Sequence, residues 1–330
     1  MPRAIPFATL GHRRGLASPR GAREVRAALT DADVLHIHEL WDPLNFQLSV
    51  IAHRMGIGYC ISPRGSLDDW AMAQKWLKKR TYFSMFARQM LEGASMIHYT
   101  AQSEADESGR RFRARASSVI PNLLDMEGFR ELPGPGAAAA ELGVSRDAPV
   151  VAYMGRLHPG KGIEYLISAM PIVLAREPRA ILAIAGKGGT PYAEGLRTMA
   201  QSLGVSQAVR FVGFKRGPEK LSLLELAAVF ALPSSHENFG NALFDAAACG
   251  CPLVLTRNVA TWRELEQAGV GTTTCQDPDE IAGALLRIVA LPSEQRTETK
   301  ARIREWTFGY FGAGRLVARY EDAYERTRSR

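Results

Sequence analysis

Two acids frame the stretch Ser234–Pro252, SSHENFGNALFDAAACGCP, with seven residues between Glu237 and Asp245. The apolar run AVFALPS before it reads as a strand ending at Ser234, and a helix begins near Gly240 or Asn241. The first amides of a helix have no partner within it, so those of Phe239, Gly240 and Asn241 are expected to point at a ligand oxygen. Gly240 lets the backbone approach closely, and Asn238 shares the same turn. Glu237 faces this spot, and Asp245 lies one helical turn beyond Asn241 on the same face. A carboxylate only accepts hydrogen bonds, so it suits a sugar diol, in which each hydroxyl donates one. The plainer reading makes Glu237 a helix-dipole partner and Asp245 a solvated surface acid.

A second charged loop, MGRLHPGKG (Met154–Gly162), brings Gly155, Arg156 and Lys161 to the end of the strand PVVAYMG. Two fixed cations beside a helix start suit a pyrophosphate, Arg through its planar fork and Lys as a point charge. The alternative is a solvated basic loop. The chain has no G-x-x-x-x-G-K-[ST] loop and no G-x-G-x-x-G turn after a strand, which weighs against the common triphosphate and dinucleotide sites. Cys249 and Cys251 form C-x-C with no second ligand pair and read as small buried residues at a helix-to-strand turn. His36 and His38 share a strand face, a metal-like spacing that lacks a third ligand.

These loops need a scaffold, and from Pro149 onward the pattern supplies one. PVVAYMG, ILAIAG, VRFVG, AVFALPS, PLVLT and GTTTC alternate with helical stretches at about 161–175, after Pro191, after Gly217, at Gly240, near Glu264 and at about 277–289. Short apolar strands alternating with helices indicate a parallel sheet covered on both faces, with ligands at the carboxyl ends of the strands. The first half is similar: DVLHIH, a helix at 45–55, GYCIS, a helix at 77–91, SMIHYT and SSVIPN. The Pro- and Gly-rich residues 126–148 read as a linker. The domains are therefore expected at 1–125 and 149–300, with 301–330 as a terminal helix packing back toward the first and a flexible FGYFGAG before Arg315. The arginine-rich first 30 residues are helical only around Ala22–Leu29, so the first domain reads as short of one or two βα units.

The 330 residues accommodate two cores. Apolar content of 46% and charged content of 23% are those of a globular chain, without a membrane-spanning run or signal-peptide core. Four scattered cysteines exclude a disulfide framework and fit a cytoplasmic setting. The net charge of +7 favours anionic partners. No aromatic platform or helix-turn-helix accompanies it, which argues against nucleic acid. Gln74–Leu91, QKWLKKRTYFSMFARQML, is a basic amphipathic stretch, either core-packing with a solvated face or lying on anionic lipid.

Taken in order, GRLHPGKG, IAGKGG, RFVGF, LPSSHENFGNALFDAAACGCPLV and RYEDAYE resemble the retaining glycosyltransferases of the GT-B fold, in the group typified by E-x7-E (family 4, group 1). DVLHIHELW, SPRGSLDDWA and VIPNLLD resemble that family's acceptor-side domain. The resemblance implies two doubly wound Rossmann-like domains facing a central cleft, the first apparently incomplete. It implies transfer of a hexose-type sugar from a UDP- or GDP-linked donor, without cofactor or metal, to a glycan or lipid-linked acceptor in cell-surface polysaccharide synthesis, at or near the inner face of the plasma membrane. Glu237, Arg156 and Lys161 would be catalytic, with Gly155, Asn238, Phe239, Gly240, Asn241 and Asp245 also on the donor side. His38 and Arg64 would serve the acceptor.

The sequence departs from the family pattern at Asp245, where Glu is expected, and at Leu123, where Gly is frequent. The glycine-rich loop after the first strand also has no counterpart, since GHRRG (11–15) follows no strand. Two alternatives therefore stand beside transfer. One is a nucleotide-sugar-binding protein with a truncated acceptor domain, and the other is an epimerase or hydrolase on the same fold.

Overall fold

The computed structural model describes residues 19–328; the GHRRG segment lies outside them. In chain order the first elements are α1 (Pro19–Leu29), β1 (Val34–His38), α2 (Pro43–Met55), β2 (Gly58–Ser62), α3 (Asp69–Ala73), α4 (Trp76–Tyr82), a π-helical turn (Phe83–Ala87), α5 (Arg88–Gly93), β3 (Met96–Tyr99), α6 (Gln102–Gly109) and β4 (Ser117–Val119). Then follow α7 (Gly136–Leu142), β5 (Val150–Met154), α8 (Ile163–Arg176), β6 (Ile181–Ala185), α9 (Thr190–Ser202), β7 (Val209–Gly213) and α10 (Gly217–Leu226). The chain closes with β8 (Val229–Leu232), α11 (Asn241–Ala248), β9 (Leu253–Thr256), α12 (Trp262–Gln267), β10 (Gly271–Thr274), α13 (Pro278–Val289), α14 (Ser293–Tyr310) and α15 (Ala313–Arg328).

The chain divides into two compact units. Residues to Asn122, joined by those from Gly314 onward, form the first; Leu123–Ala313 form the second. The second unit holds six parallel strands in the order β10-β9-β8-β5-β6-β7. Chain order reverses between β5 and β8, and an open α/β sheet binds its ligands at such a switch point.

The expected linker is part of this second unit. The run AAAAEL is strongly helix-forming despite the prolines and glycines around it. It forms α7, whose Ala138, Ala139 and Leu142 are buried with Val150, Leu223 and Leu226. Ser222 Oγ donates to the Gly134 carbonyl and accepts from Ala138 N. The expected terminal helix is likewise two elements, α14 in the second unit and α15 in the first. FGYFGAG is not loose, because Phe311 is buried edge-on to Phe244, with ring centres 5.0 Å apart.

The first unit's four parallel strands run in sequence, β1-β2-β3-β4, with no reversal among the described residues. Alternation along the strands gives the two faces different work. Ile37, Tyr59, Ile61, Ile97 and Tyr99 enter the apolar core with Met90 and Leu91 of α5. The helix expected at 77–91 is present as a continuous helical run over 76–93 with a π-helical turn inside it. Gln74 is extended and Lys75 left-handed, which breaks α3 from α4. Phe83, Ala87, Met90 and Leu91 are buried, whereas Trp76, Leu77 and Met85 are exposed.

The opposite face carries a polar chain. His98 Nε2 lies 2.7 Å from the Ile120 carbonyl and must donate to it, so Nδ1 accepts from Ser62 Oγ at 2.6 Å. Ser62 in turn accepts from His36 Nε2 at 2.7 Å, and His36 Nδ1 accepts from Tyr324 OH of α15 at 2.8 Å. Both nitrogens of His36 are thus engaged, which closes the metal reading of His36 with His38.

Burial is the main reason that these imidazoles stay neutral. It holds His36 down to about 3, helped by His38, His98 and Arg64, and His98 down to about 4, although the bond to Ile120 opposes the shift. Between those values and the free value of about 6.5, only the unfolded histidines take up a proton, so stability falls as pH falls. By pH 4.5 each histidine should cost about 2–3 kcal/mol relative to pH 7. Glu104 is raised by burial and acts in the opposite sense. Unfolding titrations of the wild type and His98→Asn should therefore show a shallower loss below pH 6.5 in the variant. Parallel profiles would contradict the assignment.

Candidate functional site

Two loops leave the switch point at adjacent strands. After β5 the chain runs through Gly155 and Arg156 into a 3-10 turn, Pro159–Lys161, which His158 opens by accepting from Gly160 N at 3.1 Å. After β8 it runs through Ser234 and Ser235 to Glu237. The loops are tied directly by Ser235 N donating to the Gly160 carbonyl at 3.1 Å. Gln276 donates to the Pro233 carbonyl at 2.8 Å and to Ser235 Oγ at 3.0 Å. Glu237 is pinned from behind: its amide donates to the Asn258 carbonyl at 3.1 Å, and its carbonyl accepts from Ala260 N at 2.8 Å.

This framework joins Lys161 to Glu237 through an Nζ–Oε2 ion pair. Their side chains retain only 16% and 24% exposure, so solvent screens the pair less than it would at a free surface. Gly162 is what permits the turn. Its φ is +65°, and an added Cβ would lie 2.1 Å from the Pro233 carbonyl oxygen. Gly162→Ala should therefore destabilise the second unit by about 2–4 kcal/mol. Urea unfolding at pH 7 tests this, and a midpoint equal to the wild type would contradict it.

Gly240, at φ +74°, opens α11 with no side-chain cap, as the turn reading requires. Phe239 is buried and stacks on Phe244 at 4.6 Å, so its side chain belongs to the core and only its backbone is placed to serve a ligand. One turn into α11, Asp245 is largely buried and paired with Lys220 of α10, Nζ to Oδ2 at 3.0 Å. The solvated-acid reading therefore does not hold. No local spacing marks Lys220, because its partner arrives by packing of α10 beside α11.

Asp245 and Lys220 line a cleft of about 550 Å³ with Gly155, Arg156, Lys187, Phe214, Lys215 and Arg216. The size suits a small-molecule ligand. Five of these residues are cations against the single carboxylate of Asp245, which makes the cleft a site for an anion. Lys215 is partly committed to Glu141, at 2.5 Å. Phe214 is 57% exposed with Lys187 Nζ 5.4 Å from its ring centre, so it offers a flat apolar surface inside a cationic cleft. RFVGF contributes to the family resemblance, but nothing in the residues alone assigns Phe214 to a ligand cleft. Lys161 and Glu237 are not among the cleft's lining residues; Lys161 shares the loop after β5 with Arg156, and Glu237 stands on the neighbouring loop after β8.

Cys249 and Cys251 are buried with thiols pushed up to about 12, chiefly by desolvation, as small core residues should be. Among the described residues no group of three or more His, Cys, Asp or Glu is placed to hold a metal ion. Among them too, no helix is long and apolar enough to cross a membrane.

In the first unit the two acceptor-side candidates, read from separate strands, are in contact. Arg64 Nε and a terminal guanidinium nitrogen lie 3.4 and 3.3 Å from His38 Nδ1, and its other terminal nitrogen donates to Asn122 Oδ1. Arg64 (φ +56°) and Glu39 (φ +68°) both hold left-handed backbone, a strain that concentrates at functional sites. Buried Glu104 secures the turn by accepting from Gly65 N at 2.7 Å and Thr100 N at 2.8 Å.

Comparison with known proteins bears on both units. The family model described as "Glycosyl transferases group 1" matches residues 137–306, and the "Glycosyl transferase 4-like domain" matches residues 2–122. A D-inositol 3-phosphate glycosyltransferase of Saccharomonospora viridis is 32% identical over 229 residues, covering 66% of this chain and 52% of that protein. The chain thus spans about half the length of the curated relatives it matches. Among solved structures, Anabaena Alr3699/HepE in complex with UDP aligns with a TM-score of 0.78 at 19% identity, over 92% of this chain and 81% of that one. Its complex with UDP-glucose aligns with a TM-score of 0.76 at 20% identity, over 94% and 82%. The fold is GT-B, with two parallel-sheet α/β units. With the group 1 model matching more than half of its length, the chain belongs to the group 1 glycosyl transferases.

Proposed function

We propose that the chain is a retaining glycosyltransferase that moves a hexose-type sugar from a UDP- or GDP-linked donor to a glycan or lipid-linked acceptor in cell-surface polysaccharide synthesis. The observation that carries this reading is the pair of matched ions at the switch point, Lys161 with Glu237 and Lys220 with Asp245, beside a cationic cleft. The UDP and UDP-glucose bound by Alr3699/HepE support the donor class.

In this reading Asp245 accepts from the ribose diol, and Lys220 keeps that carboxylate from repelling the neighbouring diphosphate. Arg156 and Lys161 hold the diphosphate. As the C1–O bond breaks, its electron pair passes to the β-phosphate oxygen, and these fixed cations stabilise the growing charge. They perform a task that a metal ion performs elsewhere, so turnover should persist in EDTA. Glu237 faces the positive charge developing on the sugar, and Lys161 holds it in place. His38 and Arg64 serve the acceptor. The exposed Trp76, Leu77 and Met85 beside Lys75, Lys78 and Arg80 support peripheral contact with an anionic membrane. Salt-sensitive co-sedimentation with anionic vesicles is the expected result, and its absence would remove that contact.

The testing experiment follows release of nucleoside diphosphate from a panel of UDP- and GDP-sugars with candidate acceptors, and reads the product's anomeric configuration by proton NMR. An α-linked donor should give an α-linked product. Inversion would reject the retaining reading. Donor binding without release would favour a nucleotide-sugar-binding protein, and a changed sugar on the recovered nucleotide would favour an epimerase.

A further inference from the structure

The motif RYEDAYE places Tyr320 and Tyr324 one helical turn apart on α15, so both rings share a face. Each stands behind one of the two acceptor-side candidates, His38 and Arg64. Tyr324 OH donates to His36 Nδ1, and the His36 ring stacks on that of His38, with centres 4.3 Å apart and planes 24° apart. Tyr320 OH donates to the Pro121 carbonyl at 3.1 Å, and the next residue, Asn122, accepts from the Arg64 guanidinium. Arg319 adds a bond to the Val119 carbonyl on the same stretch. The far end of α15 is seated closely too: a Cβ at Gly58 of β2 would lie 2.1 Å from the Thr327 carbonyl oxygen.

The bonds around His38 leave its ring one arrangement. Arg64 offers only N–H donors, so His38 Nδ1, 3.4 and 3.3 Å from two of its nitrogens, is the unprotonated one and the ring proton sits on Nε2. The backbone is held as well. Asn45 Nδ2 donates to the carbonyls of His38 at 2.7 Å and Glu39 at 3.1 Å, and Glu104 holds the amide of Gly65 beside Arg64. Partial burial and then Arg64 lower the His38 pKa, against the pull of Glu39. The other titratable rings nearby, His36 and His98, are held neutral by burial.

We propose that Tyr320 and Tyr324 are positioning residues of the transferase. Tyr324, acting through His36, fixes His38 as an Nε2–H donor, and Tyr320, acting through Pro121 and Asn122, fixes the Arg64 guanidinium. Each tyrosine hydrogen is spent on this support, so what α15 contributes is placement and not a proton. With Nδ1 occupied by Arg64 and Nε2 protonated, His38 orients an incoming hydroxyl by donating to it and does not act as its base. The role in transfer rests on reading His38 and Arg64 as acceptor-side groups; the placement itself is a property of the unliganded chain.

Tyr320→Phe and Tyr324→Phe each remove one hydroxyl and keep the ring. In the full chain labelled with 15N-histidine, two-bond proton–nitrogen spectra from about pH 5 to pH 8 read the tautomer and titration midpoint of His38. Its signal is assigned by its absence in His38→Gln. The wild type should show the Nε2–H tautomer alone and a midpoint below the free value of about 6.5. Arg64→Gln should raise that midpoint by at least about half a pH unit, and each tyrosine variant should raise it and mix the tautomers. His36→Gln and Asn122→Ala interrupt the same two paths nearer the pair and should act alike, so a tyrosine variant that fails to fold leaves the test standing. With a donor and acceptor that turn over, each tyrosine variant should lower kcat about tenfold while calorimetric donor affinity stays within about twofold. A wild-type proton on Nδ1, or variants whose His38 signals match the wild type, would overturn the proposal. Shifted signals with unchanged kcat would overturn the role in transfer. Shifted signals in a chain that transfers no sugar would sustain the placement and reject the transferase reading instead.

Discussion

Glu237→Gln should lower the turnover number for a nucleotide-sugar donor by about 100- to 1,000-fold, with donor affinity within about threefold of the wild type. The size follows from what the substitution removes. Glutamine has nearly the same shape, and the backbone at this position is fixed by Asn258 and Ala260 whatever the side chain. What disappears is one negative charge, in a setting where Lys161 and the packed loops exclude much of the solvent. A charge that matters only while the sugar becomes positive affects the transition state more than the ground state. Initial rates of nucleoside diphosphate release against donor concentration separate the two effects. A turnover number within threefold of the wild type would remove Glu237 from the reacting centre.

Lys161→Ala should cost as much or more in kcat/KM, about 1,000-fold, because it removes two things at once. The leaving diphosphate loses a fixed cation, and Glu237 loses the partner that orients it. Glu237→Gln combined with Lys161→Ala should then be much less harmful than the product of the single effects, since groups that act as a unit are not additive. Steady-state kinetics of the four proteins in the cycle make the comparison. Effects that multiply independently would show that the ion pair is structural and not shared machinery.

The second unit was largely legible in the sequence because its strands are short apolar runs bounded by loops where glycine and charge collect. That is why the β5 and β8 loops and the α11 turn are legible from residue order alone. Three features stayed hidden for separate reasons. Lys220 and Asp245 are brought together by packing of one helix against another, which no local spacing encodes. The helix α7 was masked by the prolines and glycines around AAAAEL. The helix α14 is polar around most of its circumference and buries only Ile303 and Thr307, so no apolar period announces its first half. In the first unit His38 and Arg64 were legible as strand-end residues. The hydrogen-bond chain from Tyr324 to Ile120 was not, because it spans four elements far apart in sequence.

The proposed function puts the nucleotide sugar in the cationic cleft of the second unit. Calorimetric titration of UDP- and GDP-sugars into the chain in EDTA, repeated with Arg156→Ala, tests it most directly. One donor should bind per chain without metal, with affinity reduced at least about tenfold in the variant through loss of a charge-assisted contact to the diphosphate. A full panel that fails to bind, or a donor whose affinity is the same in Arg156→Ala, would contradict it.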